Sequence, residues 1–281
     1  MRNSYAAAIM GGAAALFASA ATAQDAIGKP VDQGLHFQPA VTELMRDIVW
    51  FDTFLHWISA AIVVFVTALL IICIVRFNAK ANPTPSRTTH NSTLEVVWTG
   101  VPIVILVVIG AFSLPILFKQ LNIPQADLTI KATGNQWYWS YEYPEEGVET
   151  FDAYMLARDE LDEYGYAEDE YLLATDTEVV VPVDANVHML ITGSDVIHAW
   201  TIPAFGVKVD AIPGRMNELW FKAEEIGTYF GQCSELCGKD HSYMPITVRV
   251  VSQSDYEAWV NEIRTAQGNP PKYDVQLAAA E

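Results

Sequence analysis

Two long apolar runs in an otherwise acidic chain restrict what this sequence can fold into more than any other feature. Residues 50–77 are almost wholly apolar, and a second run covers residues 94–118. About 20 such residues cross a bilayer as a helix, and lipid offers the backbone no other partners. Both runs predict transmembrane helices. Trp50 and Trp57 suit a membrane interface, and Pro102 and Pro115 are tolerated within a span because neighbouring groups satisfy the freed backbone. The intervening loop, 78–93, continues from Arg76 with Lys80 and Arg87 and meets no acid before Glu95. Cationic loops stay on the cytoplasmic side, which puts both ends of the mature chain outside.

The N-terminus points the same way. Residues 1–23 carry Arg2, an apolar run and Ala21-Thr-Ala23, the pattern of a secretory signal peptide cleaved before Gln24. Residues 24–49 then form an exported segment, mobile over 25–34 and a short amphipathic lead-in over 39–49, where Pro39 suits a first helical turn. Cys73, within the first apolar run, reads as a small buried hydrophobe.

The chain is 51% hydrophobic yet carries a net charge of −18, which is consistent only if apolar and acidic stretches are segregated. Such a chain does not seek nucleic acid, which needs a basic face. Its natural partners are basic proteins. The densest acidic stretch, 142–170, sets twelve acids against Arg158 alone and reads as a solvated, mobile loop.

Past residue 127 the pattern changes to short β-prone runs with turn punctuation. Candidate strands are 128–132, 137–143, 178–183, 187–192, 199–202, 218–223, 227–231 and 245–252. Short strands at this spacing predict a β-sandwich or barrel, here one domain over 119–266. Ser254-x-x-Glu257 reads as a capping box opening a helix to about residue 264, and 267–281 as a flexible tail.

The chemistry is concentrated in Cys233-Ser-Glu-Leu-Cys237-Gly-Lys-Asp-His241-Ser-Tyr-Met244. Thiolate, imidazole and thioether donors select copper or zinc over hard cations. A mononuclear blue-copper site needs one Cys, two His and a weak axial Met, so this segment has one thiolate too many. Two thiolates can bridge two copper ions, with His198 as the second imidazole. Other readings are a disulfide, the usual fate of two Cys in an exported domain, and a zinc site, which needs four strong donors and has little use for Met244.

This set resembles the dinuclear copper A centre of subunit II of haem-copper (aa3-type) cytochrome c oxidases, in a bacterial form. The resemblance extends to Gln136-Trp-Tyr-Trp-Ser-Tyr-Glu-Tyr143, to Asp210-Ala-Ile-Pro-Gly-Arg215 and to the pair of apolar helices. It implies a two-helix transmembrane hairpin followed by a cupredoxin-like Greek-key β-sandwich, held in the periplasm by the bacterial inner membrane. The ligands it implies are His198, Cys233, the carbonyl of Glu235, Cys237, His241 and Met244, binding two copper ions. It further implies a Mg site using the Glu235 carboxylate at the interface with subunit I, and Trp137 as the electron entry point. Glu142, Asp176 and Asp195 become docking acids for cytochrome c. Glu95, which also completes a capping box with Ser92, becomes the mouth of a proton channel. The partners implied are subunit I, other oxidase subunits and cytochrome c; the activity is electron entry for oxygen reduction coupled to proton pumping. Asn135 departs from the pattern, since many relatives carry His there. Alternative readings are a membrane-tethered copper carrier or sensor, a quinol-oxidase-like subunit II, and a structural domain with a Cys233–Cys237 disulfide.

Overall fold

The computed structural model describes residues 28–274. The signal peptide expected over 1–23, its cleavage point and the end of the tail lie outside the described residues. The chain divides into two compact units: Arg46–Asn122, and a second formed by the flanking segments up to Met45 and from Ile123 onward.

Helix α1 (Glu43–Arg76) and helix α2 (Ser92–Leu121) account for the first unit. At 34 residues, α1 is about 51 Å long, well beyond a hydrocarbon core of about 30 Å. α1 begins before the expected residue 50 and ends at Arg76, one residue short of 77, while α2 exceeds 94–118 at both ends. Asn91, rather than Ser92, caps α2: its side chain accepts from Leu94 N at 3.1 Å, while Glu95 Oε1 accepts from Asn91 N at 3.2 Å. Asn78 closes α1 by donating to the carbonyls of Ile74 and Val75. Pro102 and Pro115 lie inside α2. Lys119 pairs with Asp47 at 2.6 Å, and Phe112 packs edge-on to Trp50 and Phe54. Cys73 is exposed on α1, as are apolar residues along both spans.

In the second unit, β1 (Leu128–Asn135), β2 (Tyr138–Tyr143), β3 (Val148–Ala153), β5 (Val187–Gly193) and β8 (Asn217–Phe221) form a five-stranded sheet in the order β3-β2-β1-β5-β8. A three-stranded sheet is ordered β4 (Val179–Pro182), β10 (Pro245–Val251), β9 (Gly227–Gln232), and a ribbon pairs β6 (His198–Ile202) with β7 (Val207–Ala211). β1 runs parallel to β5, and β4 to β10. Strict alternation buries Leu128, Ile130 and Ala132 on β1 and Trp139, Tyr141 and Tyr143 on β2, as period-two side chains require. β4 is buried throughout. Tyr143 joins the sheets: its hydroxyl donates to Val180 O and accepts from Val180 N.

Several expectations need correction. β3 and β7 were not among the expected strands; β3 is an edge strand whose acids face outward, and only pairing with β2 reveals it. The acidic stretch is not merely a solvated loop. Leu156, Leu161 and Ala174 form a buried cluster against Phe230 of β9, and Lys29 pairs with Asp169 and Glu170. From Gly28, the N-terminal segment is fastened as well, since Gly28 O accepts from Phe230 N at 2.8 Å. The lead-in becomes the first turn of α1, where Thr42 Oγ1 accepts from Met45 N and Val41, Leu44 and Met45 are buried. Helix α3 (Gln253–Ala266) is capped by Ser252, not Ser254, because β10 ends at Val251. Finally, 267–274 are tied down rather than flexible. The Gln267 amide bonds the backbone N–H and carbonyl of Glu149, and buried Glu146 receives Lys272 Nζ and the Tyr273 hydroxyl, both at 2.8 Å.

Candidate metal centre

Three connections converge at one end of the sandwich. The β5–β6 connection carries Asp195 and ends at His198, the first residue of β6. The β9–β10 connection carries Cys233 through Met244, and the β1–β2 turn carries Gln136 and Trp137. Trp137 thus sits on a turn, not within the expected strand, because β2 begins at Tyr138.

His198 is fully buried, and Cys233, Cys237 and Met244 nearly so. Their donor atoms face one another. Cys233 Sγ lies 3.8 Å from Cys237 Sγ, far beyond a disulfide bond of about 2.05 Å, so the disulfide reading does not hold; both thiols are free. His198 Nδ1 is 3.9 Å from Cys233 Sγ, and His241 Nδ1 is 3.4 Å from Cys237 Sγ. Met244 Sδ is 3.6 Å from Cys237 Sγ, and the Glu235 carbonyl is 3.3 Å from Cys233 Sγ. Each imidazole therefore lies against a different sulfur. His198, Cys233 and Cys237 alone already place three metal-binding atoms within 4.8 Å of one another. The Glu235 side chain is exposed while its carbonyl faces the thiols.

The surroundings set the protonation of these groups. Burial opposes ionising Cys233, but its interaction with the His198 ring and hydrogen bonds with backbone groups outweigh it and lower its pKa to about 7. Cys237 is pushed up to about 12, by burial first and then by the charge of Cys233. Cys233 therefore ionises more readily than Cys237. Burial opposes the imidazolium of His198, yet its bonds to Cys233 and Asp195 raise its pKa overall. Asp195 is likewise disfavoured as an anion by burial, and is lowered overall by the His198 bond and the N–H groups of Val196 and Gln136.

Asp195 is the main departure from the expected roles. Its Oδ1 accepts from His198 Nε2 at 2.9 Å and its Oδ2 from Gln136 N at 2.8 Å. With Nε2–H engaged, the Nδ1 lone pair of neutral His198 is directed at Cys233, as carboxylate–histidine pairs do at metal sites. Gly134 makes room for this imidazole: a Cβ there would stand 2.8 Å from His198 Cδ2. Trp139 closes the base of the site, its ring 6.0 Å from the His198 ring and its Nε1 donating to Met244 O. Of the other acids, Glu142 pairs with Lys131 at 3.1 Å and Asp176 accepts from Tyr154 N at 2.7 Å; neither has a contact with the thiol cluster. Glu95 belongs to the helical unit and serves the cap of α2.

A family model described as cytochrome c oxidase subunit II, periplasmic domain, matches residues 128–251, and the corresponding transmembrane-domain model matches residues 30–116. The chain belongs to the cytochrome c oxidase subunit II family. Subunit 2 of cytochrome c oxidase from Cereibacter sphaeroides is 53% identical over 272 residues, covering 90% of this chain and 89% of the relative. Subunit 2 from Zea mays is 40% identical over 84% of this chain and 91% of the relative. A crystal structure of the periplasmic domain of subunit II from Bradyrhizobium japonicum is 53% identical over 52% of this chain and 99% of that chain, with a TM-score of 0.47. As a member of this oxidase family the chain is a two-pass membrane protein with a cupredoxin-like β-sandwich domain.

Within this subunit II, the sequence assigned no role to Gln136 and read Asp195 as a docking acid rather than as the partner of His198. Gln136 donates through Nε2 to Cys237 O at 2.8 Å, and nothing in its residue type announces that. Asp195 carried a usable signal: an acid three residues before a ligand histidine on a short connection can reach the far ring nitrogen.

Proposed function

We propose that this chain is the electron-entry subunit of a cytochrome c oxidase, taking electrons from cytochrome c and delivering them to haem in subunit I. The observation that carries this reading is a buried pair of unbonded thiols with one imidazole against each sulfur. Two thiols, two imidazoles, a thioether and a carbonyl suit copper, and giving each sulfur its own imidazole suits two ions better than one. His198, Cys233, the carbonyl of Glu235, Cys237, His241 and Met244 would hold the pair. Copper bound there supplies a one-electron couple shared across two thiolates, which spreads the change of charge.

The protein's part is to keep this cage unchanged between redox states. Asp195 holds the His198 ring, Trp139 backs Met244, and the β9–β10 connection hangs from two paired strands. Trp137, half-buried with its Nε1 on Cys237 O at 3.3 Å, offers an aromatic surface in contact with the ligand loop, and we assign it as the entry point. The exposed carboxylate of Glu235 is suited to a Mg site shared with subunit I. The chain's negative charge favours a basic cytochrome, to which Glu142 and Asp176 contribute; Asp195 acts at its rim but mainly as the partner of His198. Glu95 marks the mouth of the proton channel. The basic residues Arg76, Lys80 and Arg87 favour a cytoplasmic α1–α2 loop, and this supports a periplasmic β unit on a bacterial inner membrane.

Metal analysis and EPR of the intact oxidase test this. Two coppers per subunit II and a signal shared equally between them are expected. A single copper, zinc, or oxidised thiols would refute it.

A further inference from the structure

Two donors from adjacent residues converge on one carbonyl of the ligand loop. Gln136 Nε2 donates to Cys237 O at 2.8 Å, and Trp137 Nε1 donates to the same oxygen at 3.3 Å. The backbone N–H of Gln136 is fixed in turn by Asp195, whose other oxygen holds His198. Gly238, at φ +127°, lets this turn lie flat on the loop: a Cβ there would meet Trp137 Cζ2 at 2.9 Å and Gln136 Nε2 at 3.2 Å. The turn is thus attached to both ligand-bearing connections, through Cys237 on one and Asp195 on the other.

Gln136 is an exposed residue. The entropy lost in holding a long amide side chain in one rotamer is of the same size as the net gain from one hydrogen bond open to water. Its bond to Cys237 O therefore contributes little to folding stability, and its effect is geometric. The Gln136 bond is the shorter of the two, and it lies on the same oxygen as the longer indole bond.

We infer that Gln136 is a positioning residue for electron entry: its amide pins the Cys237 carbonyl where the Trp137 indole N–H reaches it, keeping the entry surface bonded to the residue that carries a bridging thiolate. This rests on the assignment of Trp137 as the entry point. Gln136 acts through Trp137 and has no part in docking. Deleting its donor leaves encounter with cytochrome c unchanged and slows the transfer that follows.

The test is a double-mutant cycle in the intact oxidase with Gln136→Leu, Trp137→Phe and the pair, read by flash-initiated transfer from bound cytochrome c. For Gln136→Leu, copper content, melting temperature and the salt dependence of the bimolecular rate match the parent. Its first-order transfer slows on the order of tenfold, the scale on which loss of an orienting partner acts. The double variant is no slower than Trp137→Phe alone, because the two residues act as one unit. Normal first-order transfer in Gln136→Leu beside a slow Trp137→Phe overturns the positioning role and leaves the entry assignment standing. Normal transfer in Trp137→Phe overturns the entry assignment itself. Lost copper or a lowered melting temperature in Gln136→Leu makes it a structural residue, and an altered salt dependence makes it a docking one; either result also overturns the inference.

Discussion

Asp195→Asn separates the two roles open to that residue. The carboxylate accepts three N–H groups: His198 Nε2 at 2.9 Å and Val196 N at 2.6 Å on Oδ1, and Gln136 N at 2.8 Å on Oδ2. An asparagine has one acceptor oxygen. Placed at Oδ1 it keeps two bonds in weakened, neutral form and sets its NH₂ against the Gln136 N–H; turned over, it loses two. A hydrogen bond to a charged group contributes about 1.5–3 kcal/mol and a neutral one about half that. One bond lost and two weakened would sum to more, but the side chain is 34% exposed, and solvent screening brings the expected loss of stability to about 1–3 kcal/mol. Loss of an outer partner of a ligand histidine costs about 10–100-fold in metal affinity. The assay is competition for copper with a graded series of chelators, alongside the melting temperature and the salt dependence of cytochrome c oxidation. Glu142→Gln, far from the thiols in its contacts, is the control. Asp195→Asn should weaken copper retention and Glu142→Gln should not. Unchanged copper affinity and melting temperature with an altered salt dependence alone would refute the reasoning and return Asp195 to docking. The depressed pKa of Asp195 adds a sign: its contribution is present above the ordinary carboxylate range and is lost as pH falls through and below it.

The raised pKa of Cys237, about 12, means that copper loading displaces its proton, so at pH 8 uptake should release at least about one proton per chain and tighten as pH rises; calorimetry in buffers of different ionisation enthalpy measures this, and no release would show that the pair is already doubly ionised. Met244→Leu should keep most of the copper, since both thiolates and imidazoles remain, but shift the potential, where about 60 mV corresponds to roughly 1.4 kcal/mol for one electron; a potentiometric titration matching the parent would make Met244 packing alone. Neutralising Glu142 and Asp176 together should lower the association rate with cytochrome c at low salt and flatten its ionic-strength dependence, and an equal loss of turnover at all salt concentrations would exclude docking. Glu95→Ala removes the acceptor for Asn91 N and should cost about 1 kcal/mol or less of helix stability while slowing proton-coupled haem reduction; failure of the oxidase to assemble would leave only the capping role.

The chain's own pattern was enough to establish the helices, the sandwich class and the Cys233–Met244 cluster, because each rests on interactions that are local or periodic. Apolar runs are read by length alone, and alternation along a strand reports its buried face. Four side-chain donors sit within twelve residues of one loop, so their grouping is visible in the chain, while the Glu235 carbonyl entered only through the family resemblance. Even there, exact ends escaped: Asn91 and Ser252 took caps expected elsewhere, since strand pairing and loop geometry decide which residue first leaves the regular backbone.

Other features depended on distant partners. β3 carries outward acids and exists as a strand only through its pairing with β2. The acidic stretch is held by Leu156 and Leu161 packing on Phe230, and 267–274 by Glu146 and Glu149, contacts that composition cannot anticipate. At the site, the sequence assigned no role to Gln136 and, through the family resemblance, read Asp195 only as a docking acid. Their bonds to His198 and Cys237 arise because the β1–β5 register sets Gly134 beside Gly193, bringing the turn after β1 alongside the connection after β5. Polar side chains acquire specific roles only when tertiary packing chooses their partners, whereas burial of apolar surface acts on residue type and spacing alone. The Cys233–Met244 cluster was visible because its residues are neighbours in the chain, the full donor set was an implication of the family resemblance, and the hydrogen bonds that orient His198 and the Cys237 carbonyl were decided by the fold.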